Sequence, residues 1–317
     1  MTAGHAICKQ IFLTDPADGA QLPALQIETD SGISLTAIPD RALDLYDLRF
    51  KGQAISHTKT PTALSSRHFK EDGAAGFSRN FFVGMMTTCG LIQAGRPCQE
   101  GDRSFGLHGC ISNTSAESVR ICEDNDALHV HAVVHERHPE GEHMRLERTL
   151  SVYHEGGLIK LHDRITNLGK EETPYMIMYH VNFGAPFLDP ALRISGRFFS
   201  AENRDTGLEA TQEELLTVCA RGAWLQEKVF YTRPDWTQGF RLENPNMGAG
   251  VHLTASGDGL DFGGVWQNFV DTPYALGLEP CVCPGLGRVN ARIRGLLPTL
   301  APGQSRENTV CWHVYPL

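Results

Sequence analysis

Three segments of this 317-residue chain place a titratable or polar side chain where an acid or a base could work. In Tyr175-Met176-Ile177-Met178-Tyr179-His180-Val181-Asn182-Phe183-Gly184, an apolar run ends in His180 and Asn182. On a strand, residues two apart share a face, and polar groups there cost free energy unless hydrogen-bonded. In Tyr274-Ala275-Leu276-Gly277-Leu278-Glu279-Pro280, a similar run ends in a carboxylate. Glutamate is almost never buried unpaired, so Glu279 is either an exposed strand tip or a group held for work. In Phe105-Gly106-Leu107-His108-Gly109, the flanking glycines let backbone or ligand approach the imidazole closely. A glutamate raised by burial and a histidine both titrate near neutral pH, which is what general acid–base catalysis needs. Each segment also has an ordinary reading: a core histidine with a local partner, an exposed edge glutamate, a turn.

A second cluster suggests metal chemistry. His129-Val130-His131-Ala132-Val133-Val134-His135-Glu136-Arg137-His138 puts His129, His131 and His135 on one face of a strand, with Val130, Ala132 and Val134 on the other. The H-x-H spacing followed by Glu136 resembles the first metal motif of cupins, and imidazole plus carboxylate suits iron, manganese or zinc. No matching downstream histidine motif follows, so a solvated strand face is preferred. Cys281 and Cys283 are spaced C-x-C rather than as a zinc ribbon, with no second pair nearby. The expectation is therefore no metal and no cofactor.

The elements that must position these side chains are short strands bounded by Gly, Pro, Asn and Asp. Leu25–Glu28 and Ile33–Ala37 flank a Thr-Asp-Ser-Gly turn and read as a hairpin. Leu43–Phe50 alternates and stops at Lys51-Gly52, and Val119–Cys122 and Leu128–Val134 flank Glu123-Asp124-Asn125-Asp126. Arg145–Tyr153, Leu158–Ile165, Tyr175–Val181, Val229–Thr232, Gly250–Leu253, Tyr274–Leu278 and Thr309–Val314 complete the set. Helical signal is confined to segments such as Thr211–Val218, and the Gly/Pro-rich residues 233–264 read as loops. This pattern predicts an all-β protein of two stacked antiparallel sheets, a single domain over residues 1–317.

Composition narrows the partners. Lys plus Arg number 28 against 37 Asp plus Glu, a net charge of −9. Such a balance disfavours nucleic acid, which is held by clustered basic charge. No apolar run reaches the roughly 18 residues of a membrane helix, and the first residues lack a secretory pattern. The odd count of nine cysteines, mostly in apolar stretches, suits free thiols in a reducing, cytoplasmic setting.

Taken in order, Leu107-His108-Gly109, a strand ending in His180-Val181-Asn182-Phe183, and Leu278-Glu279-Pro280 resemble the L-H-G-G, N-H-x-Y-F-N and L-E-P signatures of the galactose mutarotase-like, or aldose 1-epimerase, family. Arg164-Ile165-Thr166-Asn167 and Leu300-Ala301-Pro302-Gly303-Gln304 fit the same frame, so the resemblance spans about residues 25 to 315. Thr87-Thr88-Cys89-Gly90-Leu91 and Gly109-Cys110-Ile111-Ser112-Asn113 look like a divergent branch of it. The resemblance implies a large twisted antiparallel β-sandwich that binds a sugar and interconverts its anomers. It makes Glu279 the base, His180 the acid and His108 the second histidine, with Asn182, Trp266 and Gln267 as substrate contacts. The family's arginine context is missing from Gly84–Leu91, so Arg79 is the replacement candidate, and Asp205 is taken for the family's aspartate. A sugar is then the expected partner, with self-association into a homo-oligomer left open. Another sugar epimerase or isomerase, a non-catalytic sugar-binding protein and a cupin-like metalloenzyme remain as alternatives.

Overall fold

The computed structural model describes residues 5–139 and 141–317. Two antiparallel sheets dominate it. The larger runs, in spatial order, Ala6–Thr14, Gln21–Thr29, Ile33–Ile38, Asp44–Phe50, Met86–Leu91, Met176–Gly184, Ala275–Cys281, Phe262–Asn268, Lys228–Pro234 and Phe198–Asn203, with Gln53–Ala54 attached to Asp44–Phe50. The smaller runs Ser118–Glu123, Ala127–Arg137, His143–Tyr153, Leu158–Asn167, Ser305–Pro316, Ala249–Gly257, Phe240–Asn244 and Arg193–Ser195. Among the described residues, helices are short: Gly73–Asn80, Gln212–Leu216 and Arg288–Ile293. None is long and apolar enough to cross a membrane.

The alternation read from the sequence explains how the sheets stack. In Ala127–Arg137, Val130, Ala132, Val134 and Glu136 are buried, while His129, His131, Val133 and His135 face outward. The facing strands supply Leu146, Leu150, Leu161, Val310 and Trp312, and the larger sheet supplies Ile177, Val181, Val265 and Leu278, all in one continuous apolar core. One ionic cluster crosses that core. Arg148 of the smaller sheet donates two hydrogen bonds to Asp163 (2.8 and 2.7 Å) and one to Asp44 of the larger sheet (3.1 Å). A guanidinium buried this completely is tolerable only because its donors meet carboxylates.

Every strand expected from the sequence is present, mostly a few residues longer. The Gly-rich residues 233–264 are not all loop: Phe240–Asn244 and the whole of Ala249–Gly257 lie within them. Gly239 and Gly248, both in the left-handed region, end the turns that lead into Phe240–Asn244 and Ala249–Gly257 rather than interrupting these strands. Ala6–Thr14 and Met86–Leu91 are further strands, the first pairing along its whole length with Gln21–Thr29. All nine cysteines are free thiols.

Candidate active site

The site lies on the outer face of the larger sheet, where three neighbouring strands and one loop converge. Val181 pairs with Leu278, and this antiparallel register sets His180 beside Glu279. His180 Nε2 lies 3.2 Å from Glu279 Oε1, and the two residues are only 5% and 4% exposed. Across the next strand pair, Glu279 faces Gly264. A Cβ at Gly264 would lie 2.1 Å from Glu279 Oε2, so the carboxylate occupies space that any other residue would fill.

Hydrogen bonds fix the protonation pattern. Asn182 uses both amide hydrogens, donating to the Val83 and His180 carbonyls at 2.8 Å each. Its Oδ1 is thereby turned to the imidazole and accepts from His180 Nδ1–H at 2.6 Å. With Nδ1 carrying a proton, Nε2 is left as the ring nitrogen that faces Glu279. Burial raises the Glu279 carboxyl above its ordinary range, and the neighbouring His180 opposes part of that rise. Nε2 and the Glu279 carboxylate thus face each other where both residues line the cavity.

His108 is brought in by the loop after Arg103–Phe105. Its backbone is in the left-handed region (φ 60°), uncommon for a non-glycine residue. Three contacts hold it: its N–H donates to Gly95 O (2.9 Å), its carbonyl accepts from Gly90 N–H (3.0 Å), and its Nδ1 accepts from Gly95 N–H (3.3 Å). With Nδ1 an acceptor, the proton sits on Nε2. Burial first, then His180 and Arg204, push this imidazole down to about 3, so it stays neutral. Its ring stands edge-on to His180, with centroids 5.8 Å apart. A neutral ring with a free Nε2–H can donate to a ligand oxygen but is no source of protons at neutral pH.

These three side chains open on a cavity of about 490 Å³, within the usual size of a small-molecule site. Ala74, Phe77, Ser78 and Phe81, one face of the helix Gly73–Asn80 and its end, form one wall, and Trp266, Asn268, Val229 and Tyr231 line the sheet side. Trp266 donates from Nε1 to Glu227 (2.7 Å), and Arg204 reaches the same carboxylate (3.2 Å). Burial works against the charge on Arg204, but Asp205 and Glu227 outweigh it and raise the guanidinium. Arg96 and Lys59 complete the charged lining.

The structure brings together His108, His180, Glu279 and Trp266 from the residues expected to form the site. Asn182 adjoins them, but its polar atoms are consumed in orienting His180. Gln267 points to the other face of its strand and donates to the Glu214 carbonyl (2.9 Å); Asn268, one residue on, lines the cavity instead. Arg79 is turned away from the cavity and pairs with Asp72 at 3.2 Å. It sits between helix positions that do face inward, about 100° around the helix from Ser78. Asp205 lies outside the lining and holds Arg96 (2.9 Å) and Arg204 (3.0 Å). Arg96, Arg204 and Glu227 escaped the sequence reading because no motif surrounds them. The helix face is different: the 74, 77, 78, 81 spacing is an i, i+3, i+4, i+7 pattern legible in sequence. His129 and His131 lie on the outward face of the smaller sheet, bonded to Ser151 (2.8 Å) and Thr149 (2.9 Å), with Glu136 on the opposite face. The cupin-like trio is not assembled.

The profile of a family described as domain of unknown function (DUF4432) matches residues 19–314. No curated protein matches the chain. Among solved structures, a candidate aldose 1-epimerase from Klebsiella pneumoniae subsp. pneumoniae is 20% identical, covering 98% of this chain and 87% of that one, with a TM-score of 0.84. A galactose mutarotase-like protein from Clostridium acetobutylicum is 16% identical over 98% and 99% of the two chains, with a TM-score of 0.70. Galactose 1-epimerase from Lactobacillus acidophilus is 14% identical over 98% and 99%, with a TM-score of 0.61. At these identities the likeness is one of fold: the two sheets are those of the galactose mutarotase-like β-sandwich, as the sequence motifs implied.

Proposed function

The chain belongs to the DUF4432 family, and from its site we propose that it interconverts the anomers of an aldose, an aldose 1-epimerase-type isomerisation catalysed by Glu279 and His180. One observation carries this reading: an acid–base pair 3.2 Å apart, both partners buried, opening on a cavity of sugar-binding size. The anomeric hydroxyl and the ring oxygen are bonded to the same carbon. A base and an acid serving both must themselves be close neighbours. Adjacent strands supply that spacing.

The proton balance closes within the pair. Glu279 carboxylate takes the proton of the anomeric hydroxyl while His180 Nε2–H protonates the ring oxygen, and the carbon–ring-oxygen bond breaks to give the open aldehyde. Rotation about the adjacent carbon–carbon bond presents the other carbonyl face. His180 then recovers its proton from the chain hydroxyl as that oxygen attacks, and Glu279 returns its own to the carbonyl oxygen. His108, neutral, donates from Nε2–H to a sugar oxygen without changing the proton count. Trp266, with Phe81 beside it, offers an aromatic wall to the sugar's C–H face.

General acid–base groups contribute about 10² to 10⁴ in rate. Exchange NMR on a panel of aldoses should therefore show catalysed anomer exchange, reduced by at least about 10² in Glu279→Gln and in His180→Ala. Wild-type protein that binds a sugar in the panel but leaves its exchange rate unchanged would mark a sugar-binding protein instead. Variants as active as wild type would remove the roles assigned here.

A further inference from the structure

We infer that Cys110, Glu136 and His138 form a binding site for a zinc-type divalent cation at the seam between the His108 loop and the smaller sheet. Their ligand atoms all lie within 4.8 Å of one another. Glu136 Oε1 is 2.9 Å from His138 Nε2 and 3.9 Å from Cys110 Sγ. Glu136 is buried; Cys110 and His138 are half-buried, which leaves a path for an ion. The site lies outside the sugar cavity and does not depend on the reaction proposed for it.

The donor set selects the metal. Thiolate, imidazole and carboxylate together suit zinc or a neighbouring transition ion, whereas magnesium and calcium take oxygen ligands. Tetrahedral zinc bonds of about 2.0 to 2.3 Å hold neighbouring donors roughly 3.3 to 3.7 Å apart. The two separations from Glu136, 2.9 and 3.9 Å, bracket that range, and Cys110 Sγ and His138 Nε2 lie within 4.8 Å of each other, so the donors must close around an ion without any element moving away. As a hydrogen bond, by contrast, the thiol contact at 3.9 Å is long and weak. Thiolate and carboxylate together carry two negative charges, which a divalent cation neutralises as the thiol proton and the His138 Nε2 proton leave.

Supporting contacts are in place. The other carboxylate oxygen of Glu136 accepts from Leu91 N–H at 2.6 Å, holding Oε1 towards the cluster; such outer contacts orient metal ligands. The nearby cation Arg103 is matched by Glu142 at 2.7 Å. Cys110 directly follows Gly109, where a Cβ would lie 2.4 Å from the Gln93 carbonyl oxygen, so this loop is tightly seated. A cation here would tie the loop carrying His108 to the strand Ala127–Arg137.

The test is metal titration of the full chain, stripped with chelator under reducing conditions and reloaded with Zn²⁺ or Co²⁺. One equivalent is expected, with a thiolate-to-metal charge-transfer band for Co²⁺. That band should vanish in Cys110→Ser, and His138→Gln should weaken binding at least tenfold. His131→Ala, on the outward histidine face, should retain both signals. X-ray absorption of the zinc-loaded wild type is independent of any variant's folding and should show one sulfur among light donors. Absence of stoichiometric binding, a band unchanged in Cys110→Ser, loss of metal in His131→Ala, or a zinc shell without sulfur would each overturn the assignment.

Discussion

Gly264→Ala tests whether Glu279 works from the position it occupies. Gly264 faces Glu279 across the strand pair, and its φ is not in the left-handed region, so the backbone itself accepts alanine. The added Cβ would lie 2.1 Å from Glu279 Oε2 and 2.9 Å from Cδ. Ordinary contact begins at 3.4 Å, so the carboxylate oxygen must withdraw by 3.4 − 2.1 = 1.3 Å. Misplacing a reacting group by about 1 Å costs about 10² in rate, or about 2.7 kcal/mol of transition-state stabilisation. Overpacking costs about 1 to 3 kcal/mol of stability, lowering Tm by a few degrees without unfolding the chain. Gly277→Ala provides a graded comparison, because its Cβ would lie 2.8 Å from Glu279 Oε1 and require a shift of only 3.4 − 2.8 = 0.6 Å. The assay is anomer exchange by NMR, with kcat and KM separated, on an aldose the wild type turns over. The loss should fall mainly on kcat and be larger for Gly264→Ala. A folded Gly264→Ala protein with kcat within threefold of wild type would refute the base role proposed for Glu279.

Other consequences follow from the same geometry. Burial raises Glu279, so its base form should be lost as pH falls through a value above the ordinary 4.5, and the acid limb of the pH–rate profile should lie there. The sign for stability is opposite in direction: a carboxyl raised on folding stabilises at low pH and loses that contribution as pH rises, so Glu279→Gln should match or exceed the wild-type Tm at pH 8 by scanning fluorimetry. Asn182→Ala removes the acceptor that orients His180 and should lower kcat at least tenfold with KM within threefold, a split that a purely structural role for Asn182 would not produce. Arg79→Ala should leave kcat/KM within twofold of wild type, since its guanidinium pairs with Asp72 away from the cavity.

The fold was legible because its signal is local. Strands such as Ala127–Arg137 alternate, and the turns between them carry Gly, Asn and Asp. What was missed lies where alternation disappears. Met86–Leu91 is buried at every position, but its Met-Thr-Thr-Cys-Gly-Leu sequence shows neither a polar–apolar alternation nor a continuous apolar run, so no strand signal marks it. Phe240–Asn244 is only five residues long and is flanked by glycines that serve as turns. The three catalytic candidates were found through short motifs in the right order, each at a strand end or loop. Their mutual geometry was not legible, because it depends on register between strands nearly a hundred residues apart.

Side-chain direction accounts for the remaining differences. Trp266 and Gln267 are consecutive on a strand, so at most one can face a cavity on a given side. Which one it is depends on where His180 and Glu279 point, and no property of residues 266 and 267 records that. Asn182 shares the face of His180, as its spacing requires, but the Val83 carbonyl 99 residues away decides that its amide serves the imidazole and not a ligand. Gly264 is the extreme case. In isolation a strand glycine is a weakness, lacking a side chain to pack. Here the missing Cβ is the space into which the Glu279 carboxylate fits, so part of the site consists of a residue whose contribution is to be absent. The Cys110–Glu136–His138 cluster escapes sequence for the same reason: its thiol and its carboxylate are 26 residues apart, and only the pairing of a loop with a strand end brings them within reach of one ion.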